Sequence, residues 1–246
     1  WVETYQPDAV IHCAAYTNVN RAETEQTLCM DINYRGSANI AAAANKTGAK
    51  LIYISTDYVF GASGEQPLGI YEAKNPLNTY VETKLSGENS TRILCPRSFI
   101  VRTSWVFGIN GSNFVKTMLR LGREKEEISV VSDQIGSPTY TADLAPLLCD
   151  MAMTERFGTY HATNEGYCSW YEFAREIMRL GHLPAKIHPV ATADYPSPAA
   201  RPLNSRLSKE SLDEAGFPRL PHWKDALQRY LSELAIAEEE GVLKAF

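Results

Sequence analysis

Short apolar runs rich in β-branched and aromatic residues alternate with longer stretches of helical period along most of the chain. That alternation predicts β-α-β units wound round a parallel sheet. Residues 9–13 read as the first strand, and an alanine-rich segment over about residues 31–46 reads as a helix that Gly48 is placed to end. The next strand, residues 50–55, empties into Ser55-Thr56-Asp57, which puts hydroxyls at the carboxyl edge of a sheet, where open α/β folds bind ligands. A long loop follows, carrying Gly61, Gly64, Pro67, Gly69 and Pro76, and has the character of a lid or binding segment.

Asn78 or Thr79 is suited to cap the helix bearing Tyr80 and Lys84, because a short polar side chain there accepts from free backbone N–H groups. The pattern then predicts a strand over 98–106, a helix near 113–123, a strand over 128–131, a turn at Ser137-Pro138, a buried helix over 142–153 and a strand over 158–163. Ser169 and Glu172 form a capping-box pair ahead of a helix over about 170–180. Prolines at 184, 189, 196, 198, 202, 218 and 221 describe an irregular region that ends in an amphipathic helix over about 223–238. The expected division is a larger lobe over 1–165, some segments after 105 joining the other lobe, and a smaller lobe mainly over 166–246.

Composition narrows the classes. With 246 residues, 44% hydrophobic and 22% charged, the chain is long enough for one large core or two unequal lobes. A formal charge of -5 without a basic patch argues against affinity for nucleic acid or an anionic membrane. Five cysteines, none in a C-x-x-C pair, suggest neither a disulfide framework nor a zinc site, so a reducing cytoplasm fits. No apolar run approaches the roughly 20 residues that span a bilayer.

The chemistry concentrates in Ser55 to Lys84. In a helix, Tyr80 and Lys84 lie one turn apart on one face, with a rise of roughly 6 Å. Hydride reduction of a ketone builds negative charge on oxygen, so an acid must supply a proton while a second donor holds the oxygen. A free phenol has a pKa of about 10, and a nearby ammonium favours the phenolate and lowers that value. Tyr-x-x-x-Lys alone is weak evidence, since an exposed tyrosine beside a solvated lysine reads the same way. The hydroxyl-bearing strand end upstream is what strengthens it.

The stretches IHCAAYTNV, YISTDYVFG, TYVETKLSGE, RTSWVFG, GSNFVKTMLRL, SDQIGSPTYTADLA, GTYHATN and RPLNSRL resemble, in order, those of the extended short-chain dehydrogenase/reductase superfamily and, within it, the dTDP-4-dehydrorhamnose reductases. The likeness runs over about residues 7–231. It implies an α/β, Rossmann-like doubly wound parallel sheet with a smaller C-terminal substrate-binding lobe. It also implies NADPH-dependent reduction (NADH being the alternative) of the 4-keto group of dTDP-4-dehydro-β-L-rhamnose to dTDP-L-rhamnose. By the same resemblance Thr56, Tyr80 and Lys84 are catalytic; Ala14, Ala15 and Thr17, with Tyr80 and Lys84, lie against the cofactor; and Thr56, Asp57 and Trp105 face the dTDP-sugar. Some members bind magnesium at a dimer contact, but no ligands for Mg2+ are placed here, and a homodimer stays open.

Each assignment has a plainer alternative. Ala14-Ala15 reads also as a tight junction, Thr56 and Asp57 as turn caps, and Trp105 as core. His12 reads better as a satisfied interior histidine than as an acid-base group, and Arg201 either as a pyrophosphate donor or as a surface residue. Val81 stands where the family commonly has glycine, so crowding on the cofactor side is expected. Gly61 stands where aspartate is usual, with an effect on loop stiffness alone expected. The glycine-rich turn that meets a dinucleotide pyrophosphate is not found, and a natural protein longer by roughly 50 residues is expected from the length of strand-helix steps. A sugar-nucleotide epimerase or dehydratase, and a non-catalytic regulatory subunit like that of methionine adenosyltransferase, remain as other functions for this fold.

Overall fold

A computed structural model of the chain describes residues 1–195 and 197–239. Its longer strands are β1 (Ala9–His12), β2 (Lys50–Thr56), β3 (Ser98–Thr103), β4 (Glu127–Val131), β5 (Gly158–His161) and β6 (Lys186–Val190). β1, β2, β3 and β5 lie side by side in that order, all parallel. The register sets Ser55 beside Arg102 and Thr56 beside Thr103, so β2 and β3 finish at one edge with two threonines.

Among the described residues the six longer helices are α1 (Ser37–Thr47), α2 (Thr79–Leu94), α3 (Phe114–Glu124), α4 (Thr141–Ala152), α5 (Trp170–Leu180) and α6 (Trp223–Glu239). Alternation along the strands decides which helix each residue meets. Ile52, Phe99 and Val101 point to one face and pack with Leu147 and Met151 of α4. Leu51 points to the other and packs with Ala41 and Ala44 of α1. A separate apolar cluster joins Phe107, Val115, Phe173, Ile177, Trp223 and Tyr230, drawing on α3, α5 and α6.

Three departures from the periodicity have physical causes. The helix expected from residue 31 starts earlier, at Gln26–Met30, and passes through a π-helical turn, Asp31–Gly36, before α1. The strand expected over 98–106 stops at Thr103, because Trp105 takes a left-handed φ of 48° and Ser104 Oγ donates to Ser137 O at 2.6 Å. Val106–Phe107 then pairs with Thr139–Tyr140 in a separate ribbon. Within the proline-rich region, β6 pairs in parallel with β4 alone, and as an edge strand it accommodates Pro189 without loss of a ladder bond on a second side.

Candidate active site

Asn78 is the N-cap of α2, its Oδ1 accepting from Val81 N at 3.0 Å. The helix therefore begins where Tyr80 and Lys84 both face the end of β2. Lys84 Nζ donates to Ile54 O at 2.6 Å and sits 4.2 Å from the Tyr53 ring centroid, while the Tyr53 hydroxyl donates to Lys84 O at 3.0 Å. At the strand end Thr56 Oγ1 donates to Asp57 Oδ1 at 3.0 Å and accepts from Tyr58 N at 3.3 Å. Thr56, Asp57, Tyr80, Lys84 and Trp105 line one cavity of about 650 Å³. Ala15 and Thr17 line it as well. Ala14 lies exposed in the same loop, outside the lining.

That loop is held by a residue the periodicity did not single out. Asn33, fully buried in the π-helical turn, accepts from Tyr16 N at 2.8 Å and donates to Tyr16 O and Thr83 Oγ1, both at 3.1 Å. It ties the segment after β1 to the helix that carries Lys84. π-Turns recur at such sites.

The electrostatics differ from the simple expectation. Burial pushes the Tyr80 phenol above its ordinary value; the Thr56 hydroxyl opposes this and the Asp57 charge adds to it. Burial brings Lys84 down to about 7, with Glu88 opposing. The net shift of Tyr80 is therefore upward, where its spacing from Lys84 led to an expected lowering, because burial is the largest cause. Asp57, 3% exposed, is raised by burial to about 7, and its Oδ2 has no hydrogen-bond partner.

Behind these groups lies a buried ion pair. Glu88, two turns beyond Tyr80, takes both Nε (3.1 Å) and Nη2 of Arg102, and Ser55 Oγ donates to it at 2.9 Å. Arg102 Nη1 reaches Ile70 O at 3.0 Å and meets His161 Nε2 at 3.3 Å, and His161 Nδ1 meets Ser208 O at 3.0 Å. One guanidinium thus links α2, the long loop and the C-terminal segment.

A second cavity, about 580 Å³, adjoins the first through Trp170, whose ring stacks on Trp105 at 3.7 Å between centroids. Phe114, Met118, Gln134, Tyr195 and Arg201 line it. Arg201 is half-buried there, donating to Ala199 O at 3.2 Å and Asn20 Oδ1 at 3.1 Å. Apart from Arg201 these residues were not singled out as a site, although Phe114, Met118 and Gln134 lie in stretches that carry the resemblance.

Two expected consequences change. Val81 is fully buried against Val59, Phe60 and Leu207, away from the cavity, so it does not crowd a cofactor. Gly61 has a φ of 52°, and an added Cβ would overlap Asn75 O, so glycine there is a steric requirement beyond loop stiffness. His12 is half-buried, bonded to Ser37 Oγ at 3.0 Å and lowered by burial. Among the described residues no group of three or more His, Cys, Asp or Glu is arranged to hold a metal, and no helix is long and apolar enough to cross a membrane.

The RmlD substrate binding domain family matches residues 1–236. The chain is 44% identical over 233 residues to the spore coat polysaccharide biosynthesis protein SpsK of Bacillus subtilis, covering 95% of this chain and 82% of that protein. It is 40% identical over 244 residues to the dTDP-4-dehydrorhamnose reductase of Escherichia coli K12, with the same two coverages, 95% and 82%. A crystal structure of dTDP-4-dehydrorhamnose reductase from Bacillus anthracis in complex with NADP superimposes with a TM-score of 0.92 at 45% identity, over 94% of this chain and 83% of that one.

Proposed function

The chain belongs to the RmlD substrate binding domain family, and from that membership we propose that it reduces the 4-keto group of a dTDP-linked 6-deoxy sugar, dTDP-4-dehydro-β-L-rhamnose, with NADPH. The observation that carries the reading is the convergence of Thr56, Tyr80 and Lys84 on one cavity at the carboxyl ends of β2 and β3.

The cavity suits the nicotinamide end of such a cofactor. Lys84 Nζ uses one donor on Ile54 O, which leaves two for ribose hydroxyls, and Thr103 Oγ1 is buried at the wall without a partner. Ala15 and Thr17 offer small side chains for close approach of a ring. When bound, NADPH supplies the hydride. Thr56 Oγ1 and the Tyr80 hydroxyl hold the carbonyl oxygen, and Tyr80 delivers its proton as charge develops there. Lys84 orients the ribose beside Tyr80. A protonated Lys84 beside the phenol would favour the phenolate as the proton leaves. Trp105 covers the sugar. The second cavity receives the nucleotide, with Tyr195 as an aromatic face for the base and Arg201 as a donor to the diphosphate.

The test is NADPH oxidation on addition of the dTDP-4-keto sugar, followed by absorbance, with Tyr80→Phe alongside. Removing only the hydroxyl slows reduction by on the order of a hundredfold or more while NADPH still binds. Unchanged turnover in Tyr80→Phe would remove the acid assignment, and product formed without net NADPH oxidation would replace reduction by an epimerase-type cycle.

A further inference from the structure

Tyr80 must regain a proton after each reduction. We propose that Asp57 holds and returns that proton, acting on Tyr80 through the Thr56 hydroxyl. The inference rests on the functional reading above and extends it to a residue that works one step removed from the substrate.

The geometry is a three-member chain. Asp57 Oδ1 is 3.0 Å from Thr56 Oγ1, and that hydroxyl lies beside the Tyr80 phenol, where it favours the phenolate. Asp57 is buried to 3% exposure and lines the cavity, and its Oδ2 is without a hydrogen-bond partner, which a permanently ionised carboxylate would not tolerate cheaply. The Ser205 hydroxyl is near enough to favour the carboxylate, yet Ser205 Oγ also completes no hydrogen bond. A protonated carboxyl lightens the burden, because it leaves Oδ2 a neutral carbonyl oxygen in place of an unpaired anionic one, while the proton on Oδ1 goes to Thr56 Oγ1 and frees the threonine hydrogen for Tyr80.

The groups that face Asp57 carry little compensating charge. Tyr58 and Tyr80 are both phenols whose own ionisation Asp57 opposes, and Arg201 reaches the cluster only through Tyr58. Burial sets the carboxyl near neutrality, at about 7.

The protons balance. The alkoxide formed by hydride addition takes the Tyr80 proton. Tyr80 takes the Thr56 hydrogen, Thr56 takes the Asp57 proton, and the carboxylate is recharged from solvent. The overall change is ketone plus NADPH plus one proton to alcohol plus NADP+. An ionised Asp57 can neither donate nor sit beside a phenolate without repulsion, so its charge also governs how readily Tyr80 acts.

The test compares the full chain with Asp57→Asn, Thr56→Val and Thr56→Ser, after NADPH oxidation by the unaltered protein has been confirmed; failure at that first step counts against the functional reading, not against the relay. In the unaltered protein and Thr56→Ser, steady-state turnover falls as pH rises through about 7. Asp57→Asn keeps a first turnover equal to the sites present, then runs at least about tenfold slower, the scale of a lost proton-transfer group; the limb that remains near pH 7 belongs to Lys84. Infrared difference spectra, which need no turnover, show a protonated carboxyl band titrating near neutrality in the unaltered protein and in Thr56→Val, and missing in Asp57→Asn. Asp57→Asn turning over within about threefold of the parent after the first turnover, or an Asp57 band ionised throughout the neutral range, overturns the relay. If Asp57→Asn fails to fold, the Thr56 pair and the infrared titration of the parent still decide.

Discussion

Replacing Lys84 by Met should strengthen the fold while abolishing reduction, and the gain should depend on pH in one direction. Lys84 is 4% exposed and is brought by burial from 10.5 down to about 7. The unfolded chain therefore binds more protons than the folded one between those two values, so stability of the parent rises with pH across that window. Below about 7 the lysine is charged in both states and the burden of burying it is complete; above 10.5 it is neutral in both and the burden is gone. At about 1.4 kcal/mol per pH unit the full burden is on the order of 5 kcal/mol, of which about 3 kcal/mol disappears between about pH 6 and about pH 9.5. Losing the bond to Ile54 O and the contact with the Tyr53 ring costs Lys84→Met something as well. Those costs vary little with pH and cancel when the difference is compared at two pH values. Urea unfolding of both proteins at those pH values reads the effect directly. A stability difference that stays constant within about 0.5 kcal/mol across the range would refute the claim that Lys84 is a buried, proton-shedding cation.

Glu88→Ala leaves Arg102, 1% exposed, without its carboxylate and should cost about 3–5 kcal/mol by urea unfolding, whereas Glu88→Leu with Arg102→Met should recover most of that; equal losses would mean that the buried charge is not the cause. Gly61→Ala forces a side chain into a left-handed turn against Asn75 O and should lower stability by about 1–3 kcal/mol, with wild-type stability as the contrary result.

What the sequence made legible was what is local. Tyr80 and Lys84 could be placed because four residues make one helical turn, and Asn78 and Ser169 because a cap is read from its own few neighbours. The alternation of strands and helices carried the parallel sheet in the same way. Arg102 sits in an otherwise apolar strand, and nothing nearby announces that Glu88, fourteen residues earlier, is its partner; the pairing exists only once α2 packs on β3. The bend at Trp105 is likewise made by Ser137, from a different part of the chain, so the apolar run 98–106 looked like one strand. β6 was hidden by Pro189, which argues against a strand unless its edge position is known. Lys84 was misjudged electrostatically because spacing gives proximity and says nothing of desolvation. The second cavity was out of reach for the same reason as Arg102: Phe114, Gln134, Tyr195 and their neighbours come together from five stretches of chain.

The stacked indoles of Trp105 and Trp170 stand between the two cavities, with one ring on a strained backbone position and the other on the first residue of a capped helix. Two chambers sharing such a partition measure a ligand by where its flexible joint falls, since a molecule with a rigid part on each side must bend at the wall. Gly136 makes room for that wall, since an added Cβ there would come within 2.9 Å of the Trp105 ring. Discrimination by length is then a property of the partition rather than of any contact with the groups at either end.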